Sequence, residues 1–341
     1  MLSTFLLTAF VLWAGKALAL KLGFADKPGG RKQHDDPVPP IGGLAIIPVF
    51  LGVSHLAGLQ AIVPWPLAAG LLALMAMGAV DDAKSIPSQI KFALIILIAC
   101  FVVIFGEAEI HWLGNLFGFG EVGLGAGSKI FTILSLALLM NAINMMDGVD
   151  GLSGGFCALV AFWMMVVCFN AGDTAAFTAL GVLLATLLGF LAFNLRAPWR
   201  KSASVFMGDS GALCLGLLLG WFCIKLSVQH GPLQPATVIW IIAVPIMDAF
   251  ALFLARSIRH LHPFNADRRH LHHRLQDRGF SPGRTTALIL SLVACFAMIG
   301  FAAQAQGIPA YFLFYGWLAL FALHTAGIVK LIPRKTVNKA S

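Results

Sequence analysis

Fifteen acidic residues are scattered through a chain of 341, and most of them gather in short polar interruptions between apolar stretches. The first such group is Asp81-Asp82, followed by Lys84 and Lys91. Adjacent carboxylates repel unless a cation neutralises them, which suits a hard divalent ion with oxygen ligands; the competing reading is a solvated helix end. The second group runs Asn141, Asn144, Asp147, Gly148, Asp150, Gly151. The spacing of three places Asn141, Asn144 and Asp147 near one face of a helix end, and the glycines predict a break where a ligand can approach backbone. The third is Phe206-Met207-Gly208-Asp209-Ser210-Gly211, opening an apolar segment. Asp209 or Ser210 suits an N-cap there, and the same helix start suits a phosphate.

Two further groups are basic. His270, His272, His273 and Arg274 form a dense cationic run fitted to phosphate groups, although anionic lipid would also attract it. The segment from Asp26 through Lys32 and His34 to Gly43 is rich in proline and glycine and predicts a rigid connecting turn.

The elements that must position these residues are membrane helices. Hydrophobic residues make up 59% of the chain and charged residues 11%, well under the quarter usual in soluble domains. We therefore expect a single multi-pass, all-α integral membrane domain over 1–341. Apolar windows of about 20 residues predict about eleven spans: 2–20, 41–59, 62–80, 89–106, 128–146, 155–171, 173–195, 205–226, 236–256, 285–303 and 307–331. Lys and Arg collect in alternate loops, which predicts an external N-terminus, a cytoplasmic C-terminus and all five polar groups on the cytoplasmic face. The net charge of +8 is thereby a topological signal, not one for nucleic acid. The Gly-rich 107–127 loop predicts a small hairpin on the opposite side. The six cysteines lie in apolar runs without metal spacing.

The ordered set, Asp-Asp, Asn-x-x-Asn-x-x-Asp-Gly-x-Asp-Gly, Phe-x-Gly-Asp-x-Gly and a His-rich loop, resembles the polyprenyl-phosphate N-acetylhexosamine-1-phosphate transferase family. The stretch Asp26–His34 and the His-Leu-His-His pattern are similar to its WecA branch; the three consecutive histidines of the MraY branch are missing. The resemblance implies a bacterial cytoplasmic (inner) membrane enzyme of eleven helices. It implies Mg²⁺ or Mn²⁺, a UDP-N-acetylhexosamine donor, undecaprenyl phosphate as acceptor and UMP as leaving group, and leaves a homodimer open. Carried over by motif, Asp81 and Asp82 meet the lipid phosphate and metal, and Asp209 is a metal ligand. Asn144, Asp147 and Asp150 belong to the nucleotide site, and Phe206 stacks on uracil. His270, His272, His273 and Arg274 serve the pyrophosphate and sugar side, and Lys91 and Lys32 supply positive charge. The rival class is a secondary transporter, which also carries intramembrane charge and broken helices. Against it, the acids cluster at one face, with Asp248 the exception.

Overall fold

The computed structural model describes residues 1–26, 37–198, 200–227, 231–260 and 269–331. Lys32, expected by resemblance to supply positive charge to the site, lies outside them. Thirteen α-helices fill the described residues: α1 (Leu2–Lys21), α2 (Gly42–Leu56), α3 (Trp65–Lys84), α4 (Ser88–Gly106), α5 (Ser128–Met146), α6 (Leu152–Ala171), α7 (Thr174–Asn194), α8 (Asp209–Ser227), α9 (Pro235–Ile241), α10 (Ala243–Ile258), α11 (Leu271–Gln276), α12 (Pro282–Ala305) and α13 (Ala310–Leu331). The chain is a multi-pass membrane protein. Among the described residues nine helices are long and apolar enough to cross a membrane, or ten with the bent pair α9–α10.

Two of the eleven predicted windows differ in form from a single long helix. The window 236–256 is not one helix but two, bent by 79° at Ile242. Pro245 gives the reason: its ring clashes with the carbonyl four residues back, at Ile241, and it has no amide to donate there. The window 41–59 contains only the 15-residue α2, with Pro48 inside it. At about 1.5 Å per residue it is about 22 Å long, short of the hydrocarbon thickness. The 107–127 segment makes a hairpin-like excursion with one antiparallel bridge, Trp112 to Gly123.

Helix α8 is the axis of the bundle. It is almost wholly buried and packs against α3 and α5, with α2 also on it. The first turn of α8 meets the C-terminal part of α3 closely enough that a Cβ on Gly78 would strike the Ser210 backbone. Glycine at 78 is thus what lets the two helix ends touch. The strand-like segment before α8 is held from the other side. Phe206 N–H donates to Pro39 O at 3.0 Å, and Gly42 N–H donates to Phe206 O at 2.9 Å. These bonds tie Phe206 to the start of α2. The C-terminal ends of α3 and α5 and the N-terminal ends of α4, α6 and α8 therefore converge at one end of the bundle.

Candidate active site

A cleft of about 540 Å³ opens at that end. Among the described residues six aspartates line it: Asp26, Asp81, Asp82, Asp147, Asp150 and Asp209. Phe206, Arg196 and His273 complete the part relevant to chemistry.

Five of these carboxylates are held by named partners. Asp82, on the last turn of α3, accepts the Asp209 amide at 2.9 Å and the Ser210 amide at 3.4 Å. These are two of the orphan donors at the start of α8. The N-cap expected from Asp209 or Ser210 is thus supplied by another helix. Asp81 accepts the Ile86 amide at 2.5 Å and the Lys91 ammonium at 2.8 Å. Lys91 also pairs with Asp209, so one cation bridges α3 and α8. Asn144 donates from the end of α5 to the other Asp209 oxygen, 2.7 Å away. Asp147 accepts the Ser153 hydroxyl. Asp150 accepts the Arg196 side chain at 2.8 Å and the Ala203 amide at 3.0 Å.

Burial and crowded negative charge act together on Asp147. Asp147 follows the end of α5 and lies in the loop before α6. Burial, reinforced by the carboxylates of Asp209, Asp82 and Asp150, pushes its carboxyl up to about 7, against the lowering effect of the Ser153 hydrogen bond.

Asp81, Asp82, Asp147, Asp150, Asp209, Phe206 and His273 stand in the cleft wall together. Lys91 and Asn144 lie behind it, each bonded to Asp209. Asn141 turns back on its own helix, donating to Ala137 O at 2.8 Å. His270 and His272, expected on the pyrophosphate, are buried and do not line the cleft. His272 packs beneath the loop: a Cβ on Gly148 would collide with its Nε2. Its burial, with His273 and His270 beside it, lowers the imidazole to about 3, so it is neutral at physiological pH. Arg274 also stands back from the cleft lining, its guanidinium lowered by burial despite the pull of Asp248. The physical reason is common to these three residues: the histidine segment is pulled onto α10 by a buried carboxylate, away from the open mouth.

Two positioning residues escaped the sequence reading. Asn194, ending α7, accepts the Gly151 amide at 2.7 Å and donates to Val205 O at 2.9 Å, linking the loops on either side of the cleft. Arg196 pairs with Asp150. Both stand where a long apolar helix ends in polar residues, a signal of the kind that marked the aspartates.

No three acidic or histidine side chains among the described residues form a ready-made metal ligand set. The donor chemistry is nevertheless that of a hard cation: carboxylates and an amide predominate, with one imidazole, His273, in the lining and no sulfur among the described residues. Mg²⁺ commonly takes one or two carboxylates and fills its remaining positions with water and substrate phosphate, so a complete protein cage is not required.

Residues 64–227, which carry α3 to α8 and most of the cleft, match the model of glycosyl transferase family 4. The chain is 30% identical over 352 residues to the undecaprenyl-phosphate α-N-acetylglucosaminyl 1-phosphate transferase of Escherichia coli K12, covering 98% of this chain and 94% of that one. It is 30% identical to the enzyme of that name from Yersinia pestis, over 97% of this chain and 93% of that one. The Haemophilus influenzae enzyme of the same name is 28% identical, over 95% and 92%. With the aspartate-lined cleft at its membrane-helix ends and a match running almost end to end, the chain belongs to the polyprenyl-phosphate N-acetylhexosamine-1-phosphate transferases of glycosyl transferase family 4.

Proposed function

We propose that this chain transfers N-acetylglucosamine-1-phosphate, or a closely related N-acetylhexosamine-1-phosphate, from a UDP-sugar to undecaprenyl phosphate with release of UMP. The observation that carries the reading is the convergence of six aspartates on one cleft whose lining, among the described residues, offers one arginine and one histidine in return. Such a cleft repels a diphosphate unless a cation accompanies it. A transporter site is expected near the middle of its helices; these acids sit at their ends. The names of the relatives support the acceptor and the sugar. The loop charges support placing the cleft on the cytoplasmic side of a bacterial inner membrane, with the N-terminus outside.

The resident cation is Mg²⁺ or Mn²⁺, held through Asp209 with Asp82 or Asp81; when bound it neutralises charge building on the diphosphate. The protein's own groups do the rest. Phe206, fixed by backbone bonds to Pro39 and Gly42, offers a ring face for uracil. Arg196, already on Asp150, offers its remaining guanidinium donors to phosphate oxygens. Lys91 holds Asp81 and Asp209 in register. His273 faces the donor, while His270 and His272 support it from behind. An oxygen of the lipid phosphate attacks the phosphorus that bears the sugar, the anhydride bond to UMP breaks, and UMP departs with the electron pair. A lipid phosphate is mostly dianionic at neutral pH, since its second pKa is about 6. Asp81 therefore orients more than it deprotonates.

The purified chain, given UDP-GlcNAc, undecaprenyl phosphate and Mg²⁺, is expected to release UMP only when all three are present. UMP release that ignores the lipid phosphate, or none with any UDP-N-acetylhexosamine, would refute the proposal.

A further inference from the structure

Asp248 is the only acid on α10 and lies outside the cleft. It is 9% exposed, in the half of a broken apolar span where a lone charge is costly. Its carboxylate is spoken for by two other elements. His270 Nδ1 lies 2.8 Å from Oδ2. The Leu271 amide, at the first residue of α11, reaches Oδ1 at 3.0 Å and Oδ2 at 3.2 Å. From α13, His324 Nε2 stands 3.5 Å from Oδ1. Arg274 feels the same charge from the next turn of α11.

A carboxylate facing Nδ1 requires a hydrogen to sit on Nδ1. The His270 ring lies parallel to that of His272, centroids 5.9 Å apart and planes within 5°. His272 in turn sits under Gly148, and the next residue, His273, lines the cleft. One carboxylate thus fixes the tautomer of the first histidine and the start of the helix that carries the other two.

We infer that Asp248 is a positioning residue for the transfer reaction, acting through His270 to seat His272 beneath the Asp147–Asp150 loop and His273 in the cleft wall. The inference rests on the transferase reading above. It assigns Asp248 no contact with either substrate. It differs from a plain helix anchor in one respect: the identity of the donor on His270, not only the attachment of α11, matters to turnover.

Asp248→Asn separates the two roles. Its remaining oxygen still accepts the Leu271 amide, whereas its amide group can donate to Nδ1 and favour the other His270 tautomer. Comparing the full-length wild type, Asp248→Asn, His270→Gln and the double variant in detergent tests this, through kcat, the KM for each substrate and the unfolding temperature. Outer partners of site histidines typically contribute 10–100-fold. We expect Asp248→Asn to lose kcat by about tenfold or more, with the KM for undecaprenyl phosphate and the unfolding temperature held. We expect the double variant to be no slower than His270→Gln alone, because the two act as one unit. Wild-type kcat in Asp248→Asn, or losses that multiply in the double variant, would overturn the inference. Where Asp248→Asn yields no folded protein, His270→Gln decides: a loss of kcat of about tenfold or more at an unchanged unfolding temperature supports the inference and wild-type turnover overturns it. A wild type inactive with both substrates would refute the transferase reading itself.

Discussion

Asp82 at the end of α3 caps helix α8, accepting the amide of Asp209 at 2.9 Å while it faces the cleft. The residue therefore has two separable duties, helix capping and charge. Asn caps as well as Asp, and replacing a cap by Ala costs about 0.5–2 kcal/mol. Asp82→Asn is expected to lose transfer while keeping its unfolding temperature, and Asp82→Ala to lose both. An Asn variant with near wild-type turnover would confine Asp82 to the cap.

Lys91 holds the two carboxylates proposed to meet the cation, Asp81 and Asp209. Ammonium and divalent ion then compete for the same oxygens. Lys91→Gln is expected to lower the half-saturating Mg²⁺ concentration while lowering kcat, since Asp209 loses a restraint. Mg²⁺ titration of UMP release checks it; an unchanged or raised half-saturation would exclude the competition.

Asp147, pushed up to about 7 from an ordinary 3.8, favours its neutral form in the folded chain. The sign follows from linkage. The folded state binds this proton more tightly, so the stability it contributes is complete below 3.8 and is lost as pH rises through about 7. In metal-free buffer the unfolding temperature should decline across that window, and Asp147→Asn should flatten the decline. An identical pH profile in the variant would contradict the assignment.

Gly148 has no room for a side chain because His272 Nε2 occupies it. Overpacking of this kind costs typically about 1–3 kcal/mol. Gly148→Ala should lower the unfolding temperature and the activity together, and adding His272→Ala should restore the temperature. If Gly148→Ala were silent, the packing of the histidine segment under the loop would be wrong.

The aspartates were legible because a carboxylate at the end of an apolar helix has few reasons to be there. What each carboxylate touches was not. The Asp82 cap depends on α3 reaching α8 across 127 positions of sequence, which no local pattern encodes. The break at Ile242 was written in Pro245, but mean hydropathy over 20 residues does not register a missing amide. The histidine run reads as solvent-facing because its cations are dense. Its burial follows from Asp248, 22 residues earlier in the chain and isolated in an apolar segment. Asn194 and Arg196 carry the same polar-end signal as the aspartates, but a single polar residue where a long apolar helix ends also reads as an ordinary exit from the membrane.

The central claim, transfer of sugar together with its phosphate, is tested most directly by the fate of the β-phosphorus of UDP-GlcNAc. Donor labelled with ³²P at that position is incubated with the purified chain, undecaprenyl phosphate and Mg²⁺, and the lipid and aqueous phases are separated. The account predicts label in the lipid phase, with unlabelled UMP released in equal amount, and neither in Asp209→Asn. Label remaining in water as UDP while sugar enters the lipid would show a simple glycosyl transfer and contradict it.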